Sequence, residues 1–290
     1  MAVKIQTIKE IRFQIRKELA DVYNDHEAKI VSDIILKTVT GLKKLHQLYD
    51  DRQEVTESDK EKIFLLVNEL KTGKPIQYVT GETTFYKCLI KLNPSTLIPR
   101  PETEELVDLI IRENKGLKGR IIDFGSGSGC IAIALASNLP FADITGVEIS
   151  EEALNISRKN ADLNNVKVTF SKNDILDFDF AGIEKAEIIV SNPPYVRESE
   201  KMLMSENVLG FEPPLALFVS DSEPLIYYKA ILEIADQILL PGGKIYFEIN
   251  EALGKSLYEV VESFDYSGIE IVRDLNDKER ILKARKNVGE

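Results

Sequence analysis

A short apolar run, a glycine-rich turn and a helical run follow one another near the middle of this 290-residue chain. The run Arg120–Phe124 predicts a buried parallel strand, and the stretch from Ile131 to Asn138 predicts a helix. Between them, Gly125, Gly127 and Gly129 remove Cβ atoms where backbone can approach a ligand, and they permit positive φ. This succession is typical of α/β sheets that bind ligands at the carboxyl ends of parallel strands.

The spacing of the glycines narrows the class of ligand. A dinucleotide fingerprint needs the pattern G-x-G-x-x-G. The turn here consists of Gly125, Ser126, Gly127, Ser128 and Gly129, so its third glycine comes one residue early. No Gly-Lys-Ser/Thr follows, which excludes a P-loop. The turn therefore favours a nucleoside ligand without phosphates.

Acidic residues follow the next two predicted strands. Glu148 ends the first of them, where a carboxylate can accept both ribose hydroxyls of a nucleoside. Its alternative role is to place charge at the start of the following helix, which Ser150 is expected to cap. Asp174, after the apolar run from Val166 to Phe170, is a candidate acceptor for an adenine amino group, and Ile175 is a candidate for packing on the ring.

The segment Asn192-Pro193-Pro194-Tyr195 follows Glu187–Ser191, which reads as another buried parallel strand. Asn192 offers a side-chain carbonyl, and the two prolines contribute carbonyls but no N–H donors. Such a cluster of acceptors suits a planar –NH2 group, and the ring of Tyr195 can pack on a flat amide or base. The alternative interpretation is a Pro-Pro turn that only ends the strand.

The rest of the chain predicts two domains. Residues 1–74 carry apolar residues at helical spacing and predict a small helical domain. Residues 75–95 predict a linker and a β-hairpin, because Thr84–Leu92 is aromatic and β-branched. Strands and helices alternate in residues 96–290, which predicts a doubly wound parallel sheet.

Three later segments are expected to complete this sheet. Lys244–Ile249 follows a Pro-Gly-Gly sequence and predicts a fifth strand. Glu270–Val272 and Arg280–Lys283 predict an antiparallel end. The expected fold class is therefore α/β, with a small helical domain before the sheet.

These motifs together carry a family resemblance. The glycine turn, Glu148, Asp174 and Asn-Pro-Pro-Tyr occur in the order seen in Rossmann-like, class I methyltransferases that use S-adenosylmethionine. There, Asn-Pro-Pro-Tyr is shared by enzymes that methylate glutamine amides or exocyclic amines of nucleobases. Four further segments resemble the HemK-type family, which methylates the glutamine of peptide-chain release factors: Pro75–Gly81, Leu97–Glu104, Gly210–Leu217 and Asp274–Arg280.

The resemblance implies S-adenosyl-L-methionine as cofactor and the glutamine of a Gly-Gly-Gln loop in a release factor as substrate. Cofactor contacts are expected from residues 125–129, Glu148, Asp174, Ile175 and Asn192. Catalysis and substrate binding are expected from residues 192–195. We hypothesise that the Asn192 side-chain oxygen and the Pro193 carbonyl accept both amide hydrogens.

The resemblance also implies roles outside that cluster. The helical domain is expected to recognise the substrate protein. Arg100 to Glu104 are expected to lie near the site and shape it. A direct catalytic role for Arg100 is not expected, because it can pair with a structural carboxylate instead.

Two other substrates and one non-enzymatic role compete with this interpretation. Enzymes that methylate a glutamine of a ribosomal protein typically carry Arg-Ser-Pro where this chain has Arg100-Pro101-Glu102. A nucleobase methyltransferase is expected to have a basic face, whereas 37 Lys and Arg against 48 Asp and Glu give a net charge of −11. A catalytically silent binding module would not need both Asn192 and Glu148.

Composition completes the expectations. Cys88 and Cys130 give neither a disulfide framework nor metal-ligand spacing, which favours a reducing cytoplasm and predicts no metal. The sequence shows no apolar signal core and no run of membrane-spanning length. We expect a monomer that binds its protein substrate and makes no direct contact with nucleic acid or membrane.

Overall fold

The computed structural model describes residues 6–42, 50 and 52–288. The chain divides into two compact units. The first extends to Gly81 and also includes Ser205–Phe211. The second contains Glu82–Met204 and the residues from Glu212 onward.

In the second unit, strands and helices alternate from β5 to β7 as the sequence predicts, but β8 follows β7 without a helix between them. The elements of both units in the described residues are as follows. The strands are β1 (Gln6–Thr7), β2 (Glu54–Val55), β3 (Glu82–Phe85), β4 (Cys88–Lys91), β5 (Arg120–Phe124), β6 (Asp143–Glu148), β7 (Thr169–Lys172), β8 (Ala186–Ser191), β9 (Val196–Arg197), β10 (Phe218–Val219), β11 (Leu239–Glu248), β12 (Tyr266–Arg273) and β13 (Glu279–Lys286). The α-helices are α1 (Ile8–Glu18), α2 (Asp25–Thr40), α3 (Glu57–Leu70), α4 (Ile76–Thr80), α5 (Pro101–Glu113), α6 (Cys130–Asn138), α7 (Glu151–Leu163), α8 (Glu206–Phe211), α9 (Ile226–Ile238) and α10 (Gly254–Glu262).

The helices of the first unit begin at side-chain caps. Thr7 accepts from the backbone N–H of Glu10, Asn24 caps α2 in the same manner, and Thr56 caps α3. These caps satisfy amide donors that have no partner within the helix. The apolar faces then meet in a core in which each of the following side chains is no more than 1% exposed: Ile8, Ile11, Ile15, Leu19, Ile35, Leu36, Ile63, Val67 and Leu70.

The boundary between the units differs from the sequence-based division at 74 and 95. Residues 76–80 form α4, which packs against α2 and α3 and buries Val79 in the helical core. Gly81 ends α4 with φ of 71°, so the chain turns there rather than at Gly73 alone. The β3–β4 hairpin groups with the sheet. Residues 1–5, 43–49 and 51 of the predicted helical domain lie outside the described residues.

A seven-stranded sheet forms the centre of the second unit, in the order β12-β13-β11-β8-β5-β6-β7. The strands from β11 to β7 are parallel, and β13 runs antiparallel to both β11 and β12. The strand order reverses direction between β5 and β8, and ligands bind at such a switch point in open α/β sheets. The predicted α/β fold with an antiparallel end is confirmed.

The start of β11 differs from the predicted strand Lys244–Ile249. The strand begins at Leu239, which pairs with Ala186. Lys244 pairs with Ile188. The register therefore shifts between these two pairs, because β11 is five residues further along and β8 only two. The intervening Pro-Gly-Gly sequence forms this irregularity, because proline lacks an N–H for the ladder and Gly242 takes a φ of 76°.

The central parallel strands β5 and β8 are buried on both faces, which explains their nearly continuous apolar sequences, whereas the edge strand β7 is not buried. On one face, Ile122 and Phe124 of β5 belong to a core that includes Tyr228 and Leu232 of α9. The Tyr228 ring meets Phe247 of β11 edge-on, with ring centroids 5.5 Å apart. This packing fixes the carboxyl ends of β5 and β8, where the candidate site lies.

Among the described residues, no helix combines the length and apolar character needed to cross a membrane.

Candidate active site

A cavity of about 260 Å³ opens at the carboxyl ends of β5, β6 and β8. Its volume is close to the lower end, about 300 Å³, of the range typical of small-molecule sites. Seven of the residues predicted from the sequence line it: Gly125, Gly127, Glu148, Asp174, Ile175, Asn192 and Pro194. The chain therefore brings the glycine turn and the Asn-Pro-Pro-Tyr segment to one site.

The glycine turn is held against β6 by backbone hydrogen bonds. The N–H groups of Gly125 and Ser126 both donate to the carbonyl of Val147, at 2.9 and 3.0 Å. Gly125, Gly127 and Gly129 have φ of 71°, 53° and 79°, which L side chains rarely adopt. The sequence therefore needs glycine at all three positions to form this turn.

The three glycines serve different purposes. Gly125 and Gly127 line the cavity, and an added Cβ on either would meet nothing closer than 4.0 Å. A Cβ on Gly129 would lie 3.0 Å from Phe170 and from Ser157. Gly129 is therefore required for packing of α6 against its neighbours, and it does not line the cavity.

Glu148 is anchored by backbone donors on both of its oxygens. Its Oε2 accepts from Gly127 N at 2.9 Å, and its Oε1 accepts from Ser150 N at 2.9 Å. An ionised carboxylate has about four acceptor positions, so two remain available. Ser150 also caps α7, as the alternative interpretation expected, and its Oγ accepts from Ala153 N at 3.2 Å. The capping role falls to Ser150, and Glu148 is left facing the cavity.

Asp174 and Ile175 form a further wall of the cavity. Asp174 Oδ1 accepts from Leu176 N at 2.9 Å, which fixes the carboxylate in a tight turn after β7. Ile175 packs partly against the core of the sheet and lines the cavity with its remaining surface. Tyr227 of α9, which the sequence reading did not select, lines the cavity near them. Burial raises the pKa of Tyr227, and the negative charge of Asp174 adds to that rise.

Asp123 is a second residue that sequence reasoning missed. It is the penultimate residue of β5, just before Phe124 and the glycine turn, is fully buried, and neither carboxylate oxygen has a partner at good hydrogen-bonding geometry within the described residues. Burial raises the pKa of Asp123 to about 8; the nearby backbone N–H of Ala132 opposes the rise, and the negative charge of Glu148 adds to it. An aspartate inside an otherwise apolar strand was the signal that could have revealed it.

The Asn-Pro-Pro-Tyr segment follows directly from β8. Asn192 is half-buried, and its Nδ2 donates to Thr103 Oγ1 at 3.2 Å. Pro193 is buried, whereas Pro194 lines the cavity. Tyr195 lies outside the cavity lining, and its hydroxyl donates to Glu248 Oε1 at 2.9 Å. Burial, followed by the charge of Glu248, raises the pKa of Tyr195, so this hydroxyl stays protonated.

Two long-range contacts therefore support this segment, and neither Thr103 nor Glu248 was selected from the sequence. Thr103 lies on α5 and Glu248 ends β11, with 2% and 1% exposure. The Thr103 hydroxyl donates to Glu248 Oε2 at 2.6 Å. Burial raises the pKa of Glu248, and hydrogen bonds from Thr103 and Tyr195 oppose the rise.

Arg100 has a structural partner, as the sequence allowed. Its Nη2 lies 2.6 Å from Oε1 of Glu212, whose side chain is only 1% exposed. The other oxygen of Glu212 accepts from Ile98 N at 3.2 Å. Leu97 and Pro213, the neighbours of Ile98 and Glu212, line the cavity. The Glu212 carboxylate therefore links two segments of the cavity lining.

Five predicted residues do not line the cavity: Ser126, Ser128, Gly129, Pro193 and Tyr195. Ser126 and Ser128 are 5% and 3% exposed, because the turn directs them inward while Gly125 and Gly127 face the cavity. The remaining lining includes residues that the sequence reading passed over, among them Thr96, Asn173 and Leu215. In the described part of the chain, no group of three or more His, Cys, Asp or Glu residues is arranged to hold a metal.

Comparisons with known proteins agree with this architecture. A family model described as the methyltransferase small domain matches residues 103–210, and one described as the PrmC N-terminal domain matches residues 10–81. A solved methyltransferase from Pyrococcus furiosus aligns with a TM-score of 0.54 and 17% sequence identity, covering 80% of this chain and 100% of its own, and so supports the fold. The fold and the site define a methyltransferase of the Rossmann-like class, with S-adenosylmethionine as cofactor.

Relatives at higher identity define the family. The release factor glutamine methyltransferase of Bacteroides thetaiotaomicron is 42% identical, covering 94% of this chain and 98% of its own length. The protein of the same name from Flavobacterium psychrophilum is 41% identical, covering 96% of this chain and 98% of its own. This chain belongs to the release factor glutamine methyltransferase family.

The site fits the cofactor on observations independent of these names. S-adenosylmethionine carries a ribose diol and an amino-acid ammonium group. Glu148 has acceptor positions left for the diol, and the buried, unpartnered carboxylate of Asp123 suits a cation. Both carboxylates flank the glycine turn, where close approach to backbone is possible.

Proposed function

We propose that this protein transfers a methyl group from S-adenosylmethionine to the side-chain amide nitrogen of the glutamine in the Gly-Gly-Gln loop of peptide-chain release factors. One observation carries the proposal. Asn192 and Pro194 line the same cavity as Gly125, Gly127 and Glu148, so the acceptor cluster for an –NH2 group meets the nucleoside site.

The cofactor is held by residues at the ends of three strands. Glu148 accepts from the ribose hydroxyls, Asp174 from the adenine amino group, and Ile175 packs on the ring. Asp123 receives the ammonium group. When bound, S-adenosylmethionine supplies a methyl group on a positively charged sulfur, which leaves as a neutral thioether.

The Asn192-Pro193-Pro194-Tyr195 segment, called the acceptor segment below, orients the amide nitrogen of the substrate. An amide nitrogen is a poor nucleophile, because its lone pair is delocalised into the carbonyl. Asn192 Oδ1 and the Pro193 carbonyl accept the two amide hydrogens, which orients the nitrogen and stabilises the positive charge that develops on it. The methylated nitrogen then releases one proton to solvent water, which restores a neutral amide. Positioning of this kind can contribute roughly 7–11 kcal/mol to lowering a barrier.

The remaining parts of the proposal concern partners and location. The helical unit recognises the release factor. In support, residues 10–81 match a separate family model, described as the PrmC N-terminal domain. The net charge of −11 opposes direct binding to nucleic acid. Cys88 and Cys130 are both free, which suits a cytoplasmic protein, and we propose that it acts as a monomer.

Methyl transfer from labelled cofactor tests the proposal. The protein is incubated with S-adenosylmethionine labelled in the methyl group, together with a purified release factor or with oligonucleotides. We expect label in the release factor, at the glutamine of its Gly-Gly-Gln loop, and none when that glutamine is replaced by alanine. Label in the oligonucleotides, or in neither substrate, would contradict the proposal.

A further inference from the structure

The buried carboxylate of Glu248 contacts Tyr195 directly and Asn192 through Thr103. Oε1 of Glu248 accepts the Tyr195 hydroxyl at 2.9 Å, and Oε2 accepts the Thr103 hydroxyl at 2.6 Å. The nearby Arg280 pairs instead with Asp274, at 3.1 Å. In its ionised form Glu248 can only accept, so both hydroxyls must donate to it, and their hydrogen bonds oppose the rise in its pKa that burial causes.

The direction of the Thr103–Glu248 hydrogen bond determines the direction of the hydrogen bond between Thr103 and Asn192. A hydroxyl has one proton, and that of Thr103 is directed at Glu248. The Thr103 oxygen can then only accept from its other neighbour, which is the Asn192 side chain at 3.2 Å. The –NH2 end of Asn192 must face Thr103, and its Oδ1 must face away.

The reverse orientation of the Asn192 amide is unfavourable at both ends. It would place Oδ1 against the Thr103 oxygen with no proton between them. It would also present an –NH2 group to the –NH2 group of the substrate, where an acceptor is required. Fixing the polarity of an asparagine is necessary because its two ends have nearly the same shape.

We propose that Thr103 and Glu248 are positioning residues that hold the Asn192 amide with its oxygen toward the substrate glutamine, and that the same carboxylate orients Tyr195. Neither residue touches the reacting atoms in this scheme. The inference rests on the proposed function, since it assigns the direction of the hydrogen bonds that select an –NH2 group. It also explains why an acid from the far end of β11 and a threonine from α5 converge beneath this segment.

A double-mutant cycle tests whether Thr103 acts through Asn192. The single-turnover rate on a release factor is measured at saturating cofactor for the wild type, Thr103→Val, Asn192→Ala and the double variant. Valine keeps the shape of threonine but lacks the hydroxyl, so we expect the rate to fall roughly 10- to 100-fold, as for other small losses of alignment. In the Asn192→Ala background, the same change should alter the rate less than about threefold. Thr103→Ser should restore most of the lost rate.

Two further variants separate this role from general damage to the core. Glu248→Gln offers one carbonyl oxygen to two hydroxyl donors, so one donor loses its acceptor and the rate should fall. Tyr228→Phe is the matched control, because the Tyr228 hydroxyl donates to the backbone carbonyl of Glu248 at 2.8 Å. Its loss should leave the rate within about twofold of wild type. Cofactor affinity, measured by calorimetry, should change less than threefold in all folded variants.

The outcomes are distinct. A wild-type rate in Thr103→Val, or an equal loss in both backgrounds, would overturn the positioning role while leaving the proposed function intact. If Thr103→Val does not fold, a wild-type rate in Glu248→Gln would overturn it equally. A wild-type protein that binds cofactor but does not methylate release factors would refute the proposed function, and this inference with it.

Discussion

The two sides of the active-site cavity are built from contacts of very different range. On the cofactor side, the glycine turn binds Glu148, and the hydrogen bond from Gly127 spans 21 residues within one β-α-β unit. On the acceptor side, the bond from Asn192 to Thr103 spans 89 residues, and that from Thr103 to Glu248 spans 145. The first side is made largely of backbone donors, and the second is made of side chains from three separate elements.

This difference separates binding from catalysis. The contact between the glycine turn and Glu148 depends on one local unit, so a change there should act on cofactor affinity. The acceptor side depends on side chains that do not anchor the glycine turn, so a change there should act on the methyl-transfer step. Variants on each side test whether the two properties are independent.

The largest effect is expected on the acceptor side. Asn192→Ala removes the oxygen that accepts an amide hydrogen, and we expect kcat to fall about 100- to 1000-fold, as for loss of one preorganised polar group in other enzymes. Cofactor affinity should change less than threefold when measured by calorimetry. An equal loss of rate and affinity would show that the two sides are not independent.

The next largest effect is a loss of stability at Gly129, the glycine of the turn that packs in the core and does not line the cavity. Gly129→Ala forces a side chain into a φ of 79° and places its Cβ 3.0 Å from Phe170 and Ser157. We expect a loss of about 2–4 kcal/mol in unfolding free energy, from the left-handed backbone and the crowding together. Urea denaturation measures it. Gly116→Ala is the control, because Gly116 has a φ of 78° with nothing within 4 Å of a Cβ, and it should cost about 1–2 kcal/mol.

A smaller effect is expected at the ribose site. Glu148→Gln keeps the shape of the side chain but replaces one acceptor oxygen with an –NH2 group. We expect the Kd for cofactor to rise roughly 10- to 50-fold, since hydrogen bonds to charged groups contribute about 1.5–3 kcal/mol. The rate at saturating cofactor should stay within threefold of wild type. A large fall in that rate with unchanged Kd would assign Glu148 to the acceptor side instead.

The smallest effect is a pH dependence of cofactor binding. Burial raises the pKa of Asp123 to about 8, so its carboxyl is largely protonated in the free protein at pH 6. An ammonium group favours the ionised form, so binding releases a proton and affinity should rise with pH. We expect the affinity for S-adenosylhomocysteine to increase about fivefold to tenfold between pH 6 and 7.

Asp123→Asn supplies the control for this dependence. Asparagine cannot ionise, so its Kd should be nearly constant between pH 6 and 7 and close to the wild-type value at the lower pH. The ligand's own α-amino group has a pKa of about 7.7–8.0, above this range, and stays charged throughout. A slope that persists in the variant would assign the pH dependence to another group.

The same contrast explains what the sequence could predict. The glycine turn and Glu148 follow consecutive predicted strands, and parallel strands place their carboxyl ends together, so their meeting could be foreseen. Thr103 and Glu248 could not be paired in this way, because no local pattern brings position 103 of a helix to the end of a strand 145 residues later. Asp123 stands out in the sequence as an acid in an apolar strand. That its carboxylate has no hydrogen-bond partner in the described part of the chain could not be predicted, because this depends on how the core packs.

Boundaries were harder to predict than elements. The run from Val166 to Phe170 indicated a strand, yet β7 occupies Thr169–Lys172, because this edge strand forms only where it pairs with β6. The predicted strand began at Lys244, after the Pro-Gly-Gly sequence, whereas β11 begins at Leu239 and includes that sequence. In both cases the pairing partner decided where the strand begins.

The position of β13 has a consequence for synthesis of the protein. Residues 281–285 of β13 fill the free edge of β11, and β12 lies outside β13. An interior member of the sheet is therefore translated after every residue that lines the cavity. While residues 279–286 are still inside the ribosome, the strand that carries Glu248 has one unpaired edge, so the catalytic sheet reaches its final form only as that segment emerges.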